Sequence, residues 1–257
     1  MELKSFIEAM ERLAPHDTAL SFDNCGLIIG TERSEIHRVL VALDCTPAVA
    51  DEAARIGAEL VLTHHPLLFN AVKRISPDDP ATAAVYKLIR NGIGLFSAHT
   101  NLDAAEGGVN TELCRRLGIE NAAAVPPENI MRVGELSEST TLYELAKRVE
   151  EELGATALIC GEDRPVRRVA VLGGSGGGDI RLAKDRGADV YITGECKHSQ
   201  GIEAAALGLA LIVAGHYETE NPVLKPLIAY LQANTNDVEY ILSGSCGRVF
   251  RSLPREQ

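Results

Sequence analysis

The sequence predicts an α/β protein with mostly parallel sheets, built as two similar lobes. Three observations predict it. Short β-rich runs alternate with Ala- and Leu-rich stretches of helical spacing along the 257 residues, the grammar of parallel strands wrapped by helices. The strand-like runs are continuously apolar rather than alternating, as strands covered on both faces must be. The second half also echoes the first: a shift of 130 residues lays "RIGAELVLTHH" over "DRGADVYITGE", and a shift of 116 lays "GIGLFSAHTNLD" over "GLALIVAGHYET". Two such strand-helix-strand-helix-strand units point to a duplication, with a first lobe over 1–125 and a second over 126–257.

The chain opens with MELKSFIEAMERLAP, whose Leu3, Phe6, Ile7, Met10 and Leu13 have amphipathic-helix spacing rather than the apolar core of a signal peptide. Strands are then predicted over 38–44, 58–64 and 93–99, with helices around 47–56, 80–91 and 109–117. In the second half, strands are predicted over 168–174, 188–194 and 209–215. Helices fall around 141–153, 178–186, 199–207 and 222–233, and the C-terminal segment is expected to pack back across the first lobe. Pro66 follows His64 and His65 directly and forces a bend at the strand end.

Charge and cysteine usage narrow the function classes. A net charge of −11 argues against a nucleic-acid backbone as partner, because phosphate binding needs concentrated Lys and Arg. Six scattered cysteines with no CxxC pair read as reduced thiols in a cytoplasmic protein. No apolar run approaches the roughly 20 residues that span a bilayer, so no membrane is expected.

The residues with chemical potential cluster at predicted strand ends, the edge where open α/β sheets place ligands. They lie in THHP (63–66), AHTNLDAAEGG (98–108), GGSGGGD (173–179) and GHYETE (215–220). Each has an ordinary structural explanation. Asp103 can form a turn or cap a helix starting near Val109, and His216 and Glu220 are spaced for a helical ion pair. Their convergence favours a site. His64, His65 and His216 with Asp103 and Glu220 suit Zn, Mn or Fe better than Ca or Mg. Five ligands exceed one open tetrahedral ion and fit two ions roughly 3.5–4 Å apart. GGSGGGD follows a strand and precedes a helix, so its amides can meet an anion or simply make a flexible turn. It is neither GxGxxG nor a P-loop, and no nucleophile elbow or Ser-His-Asp order occurs.

Together these motifs resemble the Nif-three-like family of dinuclear-metal proteins, known as GTP cyclohydrolase type 2 homologues. The likeness spans nearly the whole chain: "SFDNCGLIIG" (21–30), "LTHHPLLF", "SAHTNLDAAEGGVN" (97–110), "MRVGEL" (131–136), "VLGGSGGG", "YITGECKH" (191–198) and "AGHYETE". The resemblance implies two divalent ions per subunit (Zn, Fe or Mn), held by His64, His65, Asp103, His216 and Glu220. It further implies two intertwined α/β lobes with the site in the cleft between them, and a toroidal homohexamer. "FDNCG" stands where the family more usually has Trp-Asp-Asn-Val-Gly, and "TGECKHSQ" places His198 near the site, as a supporting residue at most. The short link between Leu117 and Arg132 leaves no room for the domain many relatives insert there.

The expected activity is metal-dependent hydrolysis of a small, nucleotide-like substrate, on the pattern of GTP ring opening by hydroxide drawn from a metal-bound water. His99 is the nearest candidate for proton transfer, or for a hydrogen bond orienting Asp103. One alternative is a non-catalytic, metal-binding hexameric scaffold or interaction protein. A further one is a two-metal phosphoesterase with GGSGGG holding phosphate.

Overall fold

The computed structural model of the chain describes residues 1–32 and 34–250. In chain order the elements are α1 (Leu3–Leu13), β1 (Gly26–Ile29), β2 (Arg38–Ala42), α2 (Pro47–Ile56), β3 (Leu60–Thr63), α3 (Ala83–Arg90), β4 (Gly94–Ser97) and α4 (Thr100–Ala104). There follow α5 (Val109–Leu117), β5 (Ile119–Ala124), β6 (Arg132–Thr141), α6 (Leu142–Leu153), β7 (Leu158–Cys160) and β8 (Pro165–Leu172). The chain continues through α7 (Ile180–Asp185), β9 (Val190–Thr193), α8 (His198–Ala206), β10 (Ala210–Val213), α9 (His216–Glu220), α10 (Leu224–Asn234) and β11 (Glu239–Leu242). No helix among the described residues is long and apolar enough to cross a membrane.

Packing divides the chain into two compact units. One comprises Met1–Gly108 and Val223–Gly247; the other comprises Val109–Pro222 and the segment beginning at Arg248.

In the first unit the sheet runs β1-β4-β3-β2-β11, and every pairing is parallel except β1 with β4. Its core joins Leu40, Val61 and Leu95 of the sheet to Val49 and Ala53 of α2 and Leu88 of α3. Helix α2 starts where the sequence marks it: Thr46 Oγ1 accepts from the Val49 amide and Pro47 fills the first helical position. It stops at Gly57, whose φ of +68° suits glycine.

In the second unit the sheet runs β5-β6-β8-β9-β10-β7. The centre β8-β9-β10 is parallel, and β5, β6 and β7 add antiparallel strands around it. Both faces of that centre are covered. Val169 and Val171 pack with Leu113 of α5 and Leu145 of α6 on one side. Ala170 and Tyr191 pack with Ala183 of α7 and Ala204 of α8 on the other. Continuous apolar strands are the result of that double coverage.

The duplication holds at the level of single residue pairings. Val39 pairs with Leu60 and Ala42 with Thr63, while Val169 pairs with Val190 and Leu172 with Thr193, the same register displaced by 130. Leu60 pairs with Gly94 and Val190 with Ala210, where the second partner has moved by 116. Even the strand-entry carboxylates correspond. Glu59 accepts from the amides of His37 and Arg38, and Asp189 from those of Arg167 and Arg168. Equivalent positions after β3 and β9 are therefore His64-His65 in one unit and Gly194-Glu195 in the other.

Candidate functional site

In the first unit the chemistry gathers at the carboxyl ends of β3 and β4. The Thr63 hydroxyl donates to the carbonyl of His65 and meets Ser97 Oγ at 3.0 Å, which fixes the bend before Pro66. The rings of His64 and His65 lie 5.0 Å apart at 48°, so the bend turns both to one side of the strand end. His99 joins them, with ligand atoms of all three within 4.8 Å of one another. Asp103, one turn into α4, brings Oδ1 to 3.6 Å from Nε2 of His64.

Each of these imidazoles has its tautomer set by an oxygen acceptor on Nδ1. His64 Nδ1 donates to the carbonyl of Ala98 at 2.8 Å, His65 Nδ1 to Asp44 at 2.8 Å and His99 Nδ1 to Asp23 at 2.9 Å. A carbonyl or ionised carboxylate only accepts, so Nδ1 carries the proton and, in the neutral ring, Nε2 carries the lone pair. That is the arrangement in which metal-ligating histidines are held. The side chain of Asp23 is itself buried. Burial pushes its carboxyl up, but hydrogen bonds from His99, Cys25 and Thr100 outweigh that and hold it well below the usual carboxylate range. Burial, aided by Asp23, pushes the Cys25 thiol up to about 12, so it stays protonated and donates.

In the second unit His216 opens α9 and Glu220 lies one turn on, with Nε2 3.0 Å from Glu220 Oε2. On the other side of the ring, Nδ1 lies 3.4 Å from Oε2 of Glu195. The same Glu195 oxygen accepts from the Ser175 hydroxyl at 2.6 Å. That bond, more than the one from His216, holds Glu195 below the usual carboxylate range against an opposing push from burial. With Nδ1 directed at a carboxylate, Nε2 of a neutral ring and a Glu220 oxygen confront each other as two electron-rich atoms. A proton or a cation between them removes the repulsion. Imidazole nitrogen with carboxylate oxygen is a donor set for Zn, Mn or Fe, so the residues of each unit fit a divalent ion.

The glycine-rich stretch turns out to be the wall behind this pair. The amide of Gly173 donates to Asn110 Oδ1, that of Gly174 to Thr219 Oγ1 and that of Gly176 to Thr193 Oγ1. Those N–H groups are spent inside the unit, so they do not form the anion cradle expected as one reading of GGSGGGD. Gly174 sits at φ +62°, and a Cβ there would run into the Glu220 carboxylate and crowd His216 Nε2. Gly194 is packed against the Gly174 carbonyl, Thr219 Oγ1 and His216 Cα. The repeat position that carries His64 in one unit is thus small by necessity in the other.

Every residue predicted for the site lies in one of these two sets. Sequence reasoning gave no role to Asp23, Asp44 and Glu195. Glu195 had a signal: the 130-residue shift places it on His65. Asp23 had one too, as the Asp of the motif FDNCG, whereas Asp44 had none beyond its carboxylate. The side chain of His99 is held by Asp23, and its link to Asp103 is the backbone bond from the Asp103 amide to its carbonyl. His198 is exposed at the start of α8, with no hydrogen bond or ion pair to His216, Glu195 or Glu220 among the described contacts.

Comparison with known proteins places these residues in a family. The model of Duf34/NIF3 (NGG1p interacting factor 3) matches residues 1–245. A Clostridium perfringens protein named GTP cyclohydrolase 1 type 2 homolog is 36% identical over 252 residues, covering 95% of this chain and 96% of its own. The NIF3 homolog of Schizosaccharomyces pombe is 34% identical over 236 residues, covering 84% and 83%. Among solved structures, a Staphylococcus aureus hypothetical protein superposes with a TM-score of 0.91 at 26% identity, covering 98% of this chain and 99% of that one. Reduced HcgD from Methanocaldococcus jannaschii gives 0.84 at 31% identity, covering 94% and 97%. Matched along nearly its whole length by the family model, and at more than 30% identity by relatives of similar size, the chain belongs to the DUF34/NIF3 family.

Proposed function

We propose that the protein is a divalent-metal-dependent hydrolase of a small, nucleotide-like substrate, with a reaction of the GTP cyclohydrolase type 2 kind. The observation that carries this reading is the common treatment of its histidines. Nδ1 of His64, His65, His99 and His216 is in each case directed at an oxygen acceptor, and carboxylates stand against Nε2 of His64 and His216. In this proposal His64, His65 and Asp103 of the first unit and His216 and Glu220 of the second hold two ions. That the two sets serve one centre is part of the proposal, and the family resemblance supports it. Bound divalent ions supply charge stabilisation and acidify water. Asp44 and Glu195 orient His65 and His216, and His99, with its Nδ1 proton fixed on Asp23, offers Nε2 as a proton acceptor.

The nucleotide-like substrate is supported by the names of the curated relatives. The same resemblance supports a toroidal homohexamer, and six cysteines present as thiols suit a reducing, cytoplasmic compartment. A second reading, a metal-binding scaffold or interaction protein, draws on the family description as an interacting factor. The phosphoesterase alternative loses the support of the Gly-rich loop, whose amides at Gly173, Gly174 and Gly176 are already donated.

The test is an assay of GTP and a panel of phosphoesters with metal-loaded wild type and Asp103→Asn, with assembly followed by light scattering. GTP ring opening that disappears in the variant while the assembly persists supports the proposal. Stoichiometric metal with no turnover of any nucleotide sinks it and favours the scaffold.

A further inference from the structure

The chain has five phenylalanines and no tryptophan, yet two of the phenylalanines stand in solvent beside the histidine cluster of the first unit. Phe22 is 63% exposed and Phe69 43%. Their rings meet edge to face, with centroids 6.1 Å apart and planes at 71°. Phe69 in turn lies 6.1 Å from the His99 ring, and His99 lies 5.1 Å from His64. The apolar pair is therefore continuous with the imidazoles.

Both loops that present the pair are pinned. Asp23, next to Phe22, accepts from His99 Nδ1 and the Thr100 amide. Asn24 Nδ2 donates to the carbonyl of Leu68, next to Phe69, at 2.7 Å and ties one loop to the other. Phe69 belongs to a segment, 66–82, with no helix or strand, a length of irregular chain that compact domains usually reserve for function. An exposed aromatic pair on backbones fixed in this way is preorganised to take a partner.

We propose that Phe22 and Phe69 form a stacking platform for a planar heteroaromatic ring, the base of a nucleotide in the reading given above. The proposal rests on that reading for the reacting centre and adds the residues that bind the ring. Aromatic side chains hold bases through their π faces. Neither phenylalanine has a hydrogen-bonding group, so the platform selects for a ring and does not tell guanine from adenine.

Binding of GTP, ATP and inorganic tripolyphosphate to the full-length, zinc-loaded protein tests this, with wild type compared against Phe22→Ala, Phe69→Ala and Phe69→Tyr. The expected result is about tenfold weaker binding of both nucleotides in each alanine variant. Tripolyphosphate affinity stays unchanged, and Phe69→Tyr binds as wild type. Nucleotide affinity unaltered by both alanine variants overturns the platform, as does an equal loss for tripolyphosphate or no nucleotide binding by wild type. Alanine variants that dissociate the assembly while keeping nucleotide affinity also overturn it, and assign the face to contact between copies. Failure of the hydrolase reading looks different: ring-dependent binding without turnover.

Discussion

Nδ1 of His65 donates to Oδ1 of Asp44 at 2.8 Å, so the imidazole is held by a residue that stands just beyond the neighbouring strand. Asp44 is half-exposed, and its removal leaves no cavity. Asp44→Ala is expected to weaken zinc binding by about 10- to 100-fold, the usual effect of losing a carboxylate behind a ligating histidine. Chelator competition measures this, while the melting temperature of metal-free protein stays at the wild-type value. Unchanged zinc affinity contradicts the orienting role.

The Gly-rich loop gives a contrast between two neighbouring glycines. Gly174 has positive φ and no space for a Cβ beside Glu220 and His216, whereas Gly178 has open space around it and an ordinary φ. Gly174→Ala is expected to destabilise the protein by about 2 kcal/mol, from backbone strain and overpacking together, and to lower zinc uptake. Gly178→Ala should be close to neutral in both. Denaturant unfolding and metal titration of the two variants decide it. Equal behaviour would return the loop to a flexible turn.

Glu52 fastens the end of the first unit. Its carboxylate accepts from the Ser243 hydroxyl and from the amides of Gly244 and Ser245. Burial pushes its pKa up, but these bonds prevail and leave it below the ordinary 4.5. A carboxylate with a depressed folded pKa contributes stability above its unfolded value and loses it as pH falls through the folded one. Glu52→Gln is therefore expected to cost about 1–2 kcal/mol at neutral pH and progressively less below about pH 4.5. Urea unfolding across pH 3–7 (a range chosen around the ordinary carboxylate pKa) reads the difference, and a pH-independent cost contradicts the assignment.

How far the sequence revealed this molecule depended on burial. The six strands predicted from continuous apolar runs all appear, five of them trimmed at their ends and β8 starting earlier, at Pro165, because each lies in a sheet interior. β5, with the burial-poor sequence IENAAA, the solvent-facing β7, and β1, β6 and β11 are not covered along their whole length, and the sequence predicts no strand for them. The repeat was legible because strand register conserves spacing, and the shifts of 130 and 116 recur in the pairings themselves. In the candidate site, residue type, position at predicted strand ends and the family motifs together marked His64, His65, Asp103, His216 and Glu220. The carboxylates behind the rings, Asp23, Asp44 and Glu195, depend on which strand ends and loops are neighbours, and that order is not written locally in the chain.

Metal content tests the proposed dinuclear centre most directly. Elemental analysis of protein reconstituted with zinc and separated from excess metal by gel filtration measures ions per chain directly. Two ions are predicted for wild type, with fewer in Asp103→Asn and in Glu220→Gln. Wild-type protein that retains no divalent ion under any reconstitution would contradict the central claim.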